Sequence, residues 1–183
     1  MSSIEFSKEY HQRQAWLNLQ SSPDELWDVL DENRNLTGRT HRRADPMEDG
    51  DFHLTVHIWI RRSDGKFLLT KRAPNKGYPL MWETTAGSAI AGDDSLTAAL
   101  REVKEETGLI LNPEDGRLVL STQSDHQFAD IWFFNHEFSL SDVVLLEGET
   151  CDCMVATKEQ ILQLDKDGVL VPFSYLQAFM DTI

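Results

Sequence analysis

The chain is poor in cysteine, in positive charge and in long apolar runs. Only Cys151 and Cys153 occur among its 183 residues. Two positions apart, they are too close to staple a fold, which points to a reduced, cytoplasmic protein. A CxC pair with no further cysteine is a weak metal signal and reads as two same-face residues of a strand. Lys and Arg number 17 against 31 Asp and Glu, a formal net charge of −14. That balance argues against general nucleic-acid binding, which sets cations against phosphates. An anionic small molecule stays open if metal ions supply positive charge. The first residues, MSSIEFSKEYHQRQ, contain no apolar signal segment, and no apolar run approaches the roughly 18 residues of a membrane span. No membrane partner is expected. Hydrophobic residues make up 40% of the chain, enough for one globular domain with small additions.

The patterning alternates strands with a few helices and shows no internal repeat. A loose helix fits residues 7 to 20, with punctuation near Ser22 and Pro23. LWDVLDENRNLTGRTHRR predicts a strand, a turn around Glu32 to Asn35, and a second strand. Residues 1–48 thus form a helix and hairpin extension ahead of a main domain over 49–183. FHLTVHIWI (52–60) and KFLLTKR (66–72) predict a hairpin about Ser63-Asp64-Gly65. Strands are expected at 117–122, 130–138 and 151–156. Thr157 and Gln160 form a capping-box pattern for a short helix, and PFSYLQAFM predicts a final helix with Pro172 in its first turn. Hairpins predominate over strict βαβ alternation, so the fold class is α+β.

The most informative stretch is GSAIAGDDSLTAALREVKEETGL, Gly87 to Leu109. Asp94 is placed to cap a helix from Ser95 to Thr107, and Gly108 to end it. Leu96, Ala99, Leu100, Val103 and Thr107 share one stripe by the i, i+3, i+4 rule. Glu102, Glu105 and Glu106 share a neighbouring one. Like charges at that spacing repel by about 0.2–0.5 kcal/mol per pair on an exposed helix, and by more where water is excluded. Arg101 is near enough to pair with one carboxylate. A divalent cation bound by oxygen alone, Mg²⁺ or Mn²⁺, would neutralise the rest. A solvated acidic face is the plainer alternative.

The stretch resembles the Nudix box, G-x5-E-x7-R-E-U-x-E-E-x-G-U with U a bulky aliphatic residue. Gly87, Arg101, Glu102, Val103, Glu105, Glu106, Gly108 and Leu109 fill their places at that spacing. A chance match at six fixed positions is on the order of one in ten million per start point. The resemblance covers roughly residues 50 to 165. It departs at Asp93, where the family usually has glutamate; the charge survives with a shorter reach, as weakened support for the site. The resemblance implies a mixed β-sheet sandwiched between helices. It also implies a Mg²⁺-dependent enzyme that hydrolyses a diphosphate linked to another moiety, typically a nucleoside diphosphate linked to X. A small-molecule partner follows, and a homodimer stays open.

A wider stretch, including LLTKRAPNKGYPLMWETTAGS, resembles the subgroup related to isopentenyl-diphosphate isomerase. That isomerase needs a cysteine and a metal-binding histidine where this chain has Ala86 and Ser88, which disfavours isomerisation. His53, at a ligand histidine's place, reads as structural. A non-catalytic nucleotide sensor is the third reading, and it would not need all three glutamates. By resemblance Glu102, Glu105 and Glu106 hold the metal, with the Ala86 carbonyl as a further ligand, while Arg101 orients the glutamates and Gly87 allows close backbone approach. Glu149 reads as a metal ligand, a general base or a plain loop acid. Arg72 and Lys76 are candidates to grip phosphates, or surface cations. Trp82 walls the pocket or sits in the core. Loops near 40–50 and 122–130 are expected to set specificity.

Overall fold

A computed structural model describes residues 24–183; the helix expected over 7–20 and the punctuation at Ser22 and Pro23 lie outside them. The described chain begins with a hairpin, β1 (Leu26–Leu30) and β2 (Leu36–Arg42). Its turn is fixed locally: Asp31 Oδ1 accepts from the backbone N–H of Asn33 (2.9 Å) and Asn35 (2.8 Å). Arg34 takes up a left-handed conformation there, with φ 66°.

The main sheet is built on β3 (His53–Arg61), which runs parallel to β8 (Gln127–Asn135) along its whole length. Its other edge is shared. Residues 55–58 pair antiparallel with β6 (Thr85–Ser88), and Arg61 pairs with Phe67 of β4 (Phe67–Arg72). β4 also pairs with β5 (Trp82–Glu83) and β9 (Thr150–Ala156), and β7 (Gly116–Ser124) closes the far side against β8. The sheet is therefore mixed, in an α+β fold.

Alternation along β3 separates two cores. Val56, Ile58 and Ile60 face α1 (Ser95–Thr107) and meet Ala98, Ala99, Val103 and Phe134. Trp59 faces the other way, toward Phe133, Ile161 of α2 (Lys158–Lys166), and Phe179 and Met180 of α3 (Leu176–Thr182). The sheet thus lies between helices, as strand periodicity requires when both faces are covered.

Three expectations shift. The strand expected at 130–138 runs instead from Gln127 to Asn135, because Phe128 and Ala129 are buried and pair back onto β7. The stretch 122–130 is consequently a β-hairpin with a tight turn at Asp125 and His126, not a loop. The last helix starts at Leu176, not at Pro172. Val171 N–H donates to the Trp82 carbonyl (2.8 Å), and Phe173 and Tyr175 pack into the core before the helix begins.

The N-terminal hairpin is tied to the sheet. Leu30 exchanges two backbone hydrogen bonds with Phe52 (2.7 and 3.0 Å), and Ala91 N–H donates to the Leu26 carbonyl (2.8 Å). From the turn, Arg34 reaches Asp130, a carboxylate 1% exposed that also accepts from Ser121 Oγ at 2.6 Å. Arg34→Ala should leave Asp130 under-partnered. Because Arg34 itself is about one-third exposed and Ser121 remains, the cost is about 1–2 kcal/mol. Thermal melts should show Tm lower by about 2–8 °C; a wild-type Tm would mean the hairpin is held without this pair.

Candidate active site

The site grows from α1. Asp94 caps it, accepting from Thr97 N–H at 2.7 Å, and Gly108 ends it with φ 74° and a hydrogen bond to the Lys104 carbonyl. Ala98, Ala99, Val103 and Thr107 are buried against the sheet. The adjacent stripe brings Glu102, Glu105 and Glu106 to a cavity of about 430 Å³, whose wall includes Ala86, Gly87 and Ser88 of β6. Glycine at 87 leaves space for Glu102: a Cβ there would fall on its carboxylate and displace it.

Arg101 ties this end together and pairs with more than the one carboxylate expected. Its Nε donates to Asp93 Oδ2 at 3.0 Å, and its Nη1 donates to Glu102 at 2.9 Å and to Glu105 at 3.2 Å. Its Nη2 donates to the Ser88 carbonyl at 2.8 Å. Aspartate at position 93 therefore spans to the guanidinium despite its shorter side chain.

A second charged group lines the same cavity. Arg72 Nη1 donates to Glu83 Oε2 at 2.6 Å, and Lys76 pairs with Glu149, which precedes β9. A third comes from the hairpin, where Glu25 and Arg43 also line the cavity. Trp82 does not join them. It packs against the aromatic core with Lys71 over its ring at 5.3 Å. His53 stacks on Trp27, with centroids 4.0 Å apart, and burial lowers its pKa to about 4.

Six glutamates and four cations line the cavity among the described residues. Burial comes first in raising every shifted carboxylate. Glu106 is pushed well above the ordinary range by burial and then by the charges of Glu83, Glu102 and Glu149. Glu105 rises to about 7 through burial and the charge of Glu102, which Arg101 only partly offsets. Burial likewise raises Glu102 and Glu83 against the pull of Arg101 and Arg72.

These groups have the donor chemistry for a hard divalent cation, being carboxylate oxygens without sulfur or imidazole. Glu106 Oε2 is buried with no hydrogen-bond partner, as a ligand awaiting a cation would be. As they stand, with Glu102 and Glu105 turned to Arg101, no three His, Cys, Asp or Glu side chains form a ready cage among the described residues.

Glu83, Glu25 and Arg43 were not singled out from the sequence. Glu83 had a signal, since it is the lone charge in residues 79–92, within a β-forming stretch. Glu25 and Arg43 had none, because only the fold of the hairpin brings them to the cavity.

Residues 51–169 match the NUDIX domain family. An uncharacterised Nudix hydrolase of Listeria monocytogenes is 38% identical over 154 residues, covering 83% of this chain and 91% of that one. The chain belongs to the Nudix hydrolase family, and it is an enzyme of that class. It is also 27% identical over 152 residues to an isopentenyl-diphosphate Delta-isomerase of Cutibacterium acnes, covering 80% of this chain and 70% of the isomerase. Among solved structures, a Deinococcus radiodurans protein superposes with a TM-score of 0.70 at 17% identity, covering 86% of this chain and 99% of that one. That likeness concerns the fold.

The raised Glu105 makes metal-free stability depend on pH. An unfolded glutamate titrates at about 4.3, while folded Glu105 holds its proton to about 7. The stabilisation is complete below the unfolded value and is lost as pH rises toward 7. In EDTA, Tm should therefore fall between pH 5 and pH 7, and Glu105→Gln should flatten that fall and leave the pH 7 Tm unchanged or higher. A Glu105→Gln protein that melts earlier than wild type at pH 7 would make Glu105 a structural partner of Arg101 instead.

Proposed function

We propose that the protein hydrolyses the diphosphate bond of a nucleoside diphosphate linked to another moiety, or of a related nucleotide, with Mg²⁺ or Mn²⁺. The observation that carries this reading is the row Glu102, Glu105 and Glu106 on α1, lining one cavity together with Arg72 and Lys76. The three glutamates would hold the cation, with the Ala86 carbonyl as a further ligand. Bound there, the cation offsets phosphate charge and makes water more acidic.

The chain's own residues do the rest. Arg72 and Lys76 bind phosphate oxygens, each turning from the glutamate it pairs with in the structure. When Lys76 turns, Glu149 loses its cation and is the carboxylate assigned to accept the proton of the attacking water. Arg101, braced by Asp93 and the Ser88 carbonyl, orients Glu102 and Glu105. Gly87 keeps β6 close to Glu102.

We read the protein as cytoplasmic, with a small-molecule partner and no nucleic acid. No helix among the described residues is long and apolar enough to cross a membrane. Similarity to an isomerase keeps isopentenyl diphosphate as a second substrate to test. Ala86 offers no acid and Ser88 is a poor substitute for an imidazole, so that chemistry is disfavoured.

The test is a screen of nucleoside diphosphate conjugates with Mg²⁺, products assigned by mass. We expect cleavage at a diphosphate bond, abolished by EDTA, and a loss in kcat on the order of a hundredfold in Glu105→Gln. Isopentenyl diphosphate should yield no dimethylallyl product. Undiminished turnover in EDTA, or clear isomerisation, would overturn the reading.

A further inference from the structure

The hairpin's contribution to the cavity does not belong to the Nudix box. Of the four cations lining the cavity among the described residues, Arg43 has the longest ion-pair contacts, 3.3 and 3.4 Å to Glu25. Its side chain is also the most exposed, at 39% against 12–23% for Arg72, Lys76 and Arg101. Its partner has a second donor. Glu25, 7% exposed, accepts from Trp27 Nε1 at 2.7 Å. Arg43 can therefore turn to another anion without stranding a buried carboxylate, whose desolvation would otherwise oppose the move.

The backbone around Arg43 is held in place. Arg43 N–H donates to the Glu25 carbonyl at 2.9 Å, and Trp27 is stacked on His53 of β3. The position along the cavity is informative too. Arg72 pairs with Glu83 of β5, Glu102 lies against Gly87 of β6, and the hairpin that carries Arg43 is bonded at Leu26 to Ala91, beyond β6. The carboxylates of α1 thus run between two cation sites, Arg72 with Lys76 at one end and Arg43 at the other.

We propose that Arg43 binds the anionic group on the far side of the scissile bond from Arg72 and Lys76, so that the hairpin selects substrates with an anion at each end of the carboxylate row. This deepens the hydrolase reading above and rests on it. The substrate class is a diphosphate diester or a condensed phosphate, not a lone monophosphate. Arg43 is a specificity residue that touches substrate, and Glu25 with Trp27 positions it.

The test uses the full chain in Mg²⁺, titrated calorimetrically with imidodiphosphate, which resists hydrolysis, and with orthophosphate. Arg43→Ala should weaken imidodiphosphate about tenfold or more, the loss of one charge-assisted hydrogen bond, and leave orthophosphate largely unchanged. The Arg43 guanidinium lies over the Trp27 ring, 6.0 Å from its centroid; Arg43→Gln, which keeps much of that packing, should do the same as Arg43→Ala, and Arg43→Lys should recover part of the affinity as a point charge. Arg72→Ala should weaken both probes. Unchanged imidodiphosphate binding in Arg43→Gln overturns the proposal, and so does an equal loss for both probes, which would report a collapsed hairpin. Wild-type protein that binds neither probe would bring down the diphosphate reading itself, and this inference with it.

Discussion

Arg101 is a guanidinium set among three carboxylates and a backbone carbonyl, and the arrangement of the site depends on it. Burial alone would lower its pKa, yet the charges of Glu102, Glu105 and Asp93 outweigh that and hold the guanidinium more firmly protonated than usual. The dependence runs both ways. Glu102 and Glu105 stand on successive turns of one helix with little water, where like charges repel strongly. Asp93 comes from the loop before the helix and Ser88 from β6, so one side chain ties helix, loop and strand to one another. Its planar fork of donors suits this task in a way lysine would not.

That tie explains why the motif spans two elements. The glutamates need a rigid helix to keep their spacing. Gly87 needs a strand close enough that no Cβ can intervene. β3 fixes the distance between them, since it pairs with β6 and packs its Val56, Ile58 and Ile60 against α1. The hydrophobic core on this face therefore sets the position of the charged groups above it. Glu106 is the cavity glutamate left with an unpartnered buried oxygen, and the neighbouring carboxylates that, after burial, help hold its proton would equally attract a cation.

Local signals made much of this legible in the sequence. The cap at Asp94, the stop at Gly108, the capping box at Thr157 and Gln160, and the turn at Ser63 to Gly65 depend on a few adjacent residues, and each occurs as expected. So does the hairpin over 26–42. Phe128 was missed as part of β8 because its burial comes from Phe52 and Leu30, distant in sequence. Pro172 misled because a helix-compatible proline says nothing about Val171, which is bound to Trp82 across the fold. Arg101, Glu102, Glu105 and Glu106 could be placed on one helix from spacing alone. Glu83, Glu25 and Arg43 could not be assigned to the cavity, since their presence there follows from β-pairing and hairpin docking.

The pairing of cations with glutamates along the cavity bears on how an anion would enter it. Arg72 and Lys76 are neutralised by Glu83 and Glu149 of the same chain, not by dissolved ions. A phosphate arriving there displaces a tethered side chain, so few small counterions are released to the solvent. The counterion-release contribution at such a site is small, unlike at an open basic surface, where it makes affinity fall steeply with ionic strength. The cavity is in effect internally buffered: Arg72 and Lys76 are held by glutamates of the same chain, not by ions drawn from the solvent.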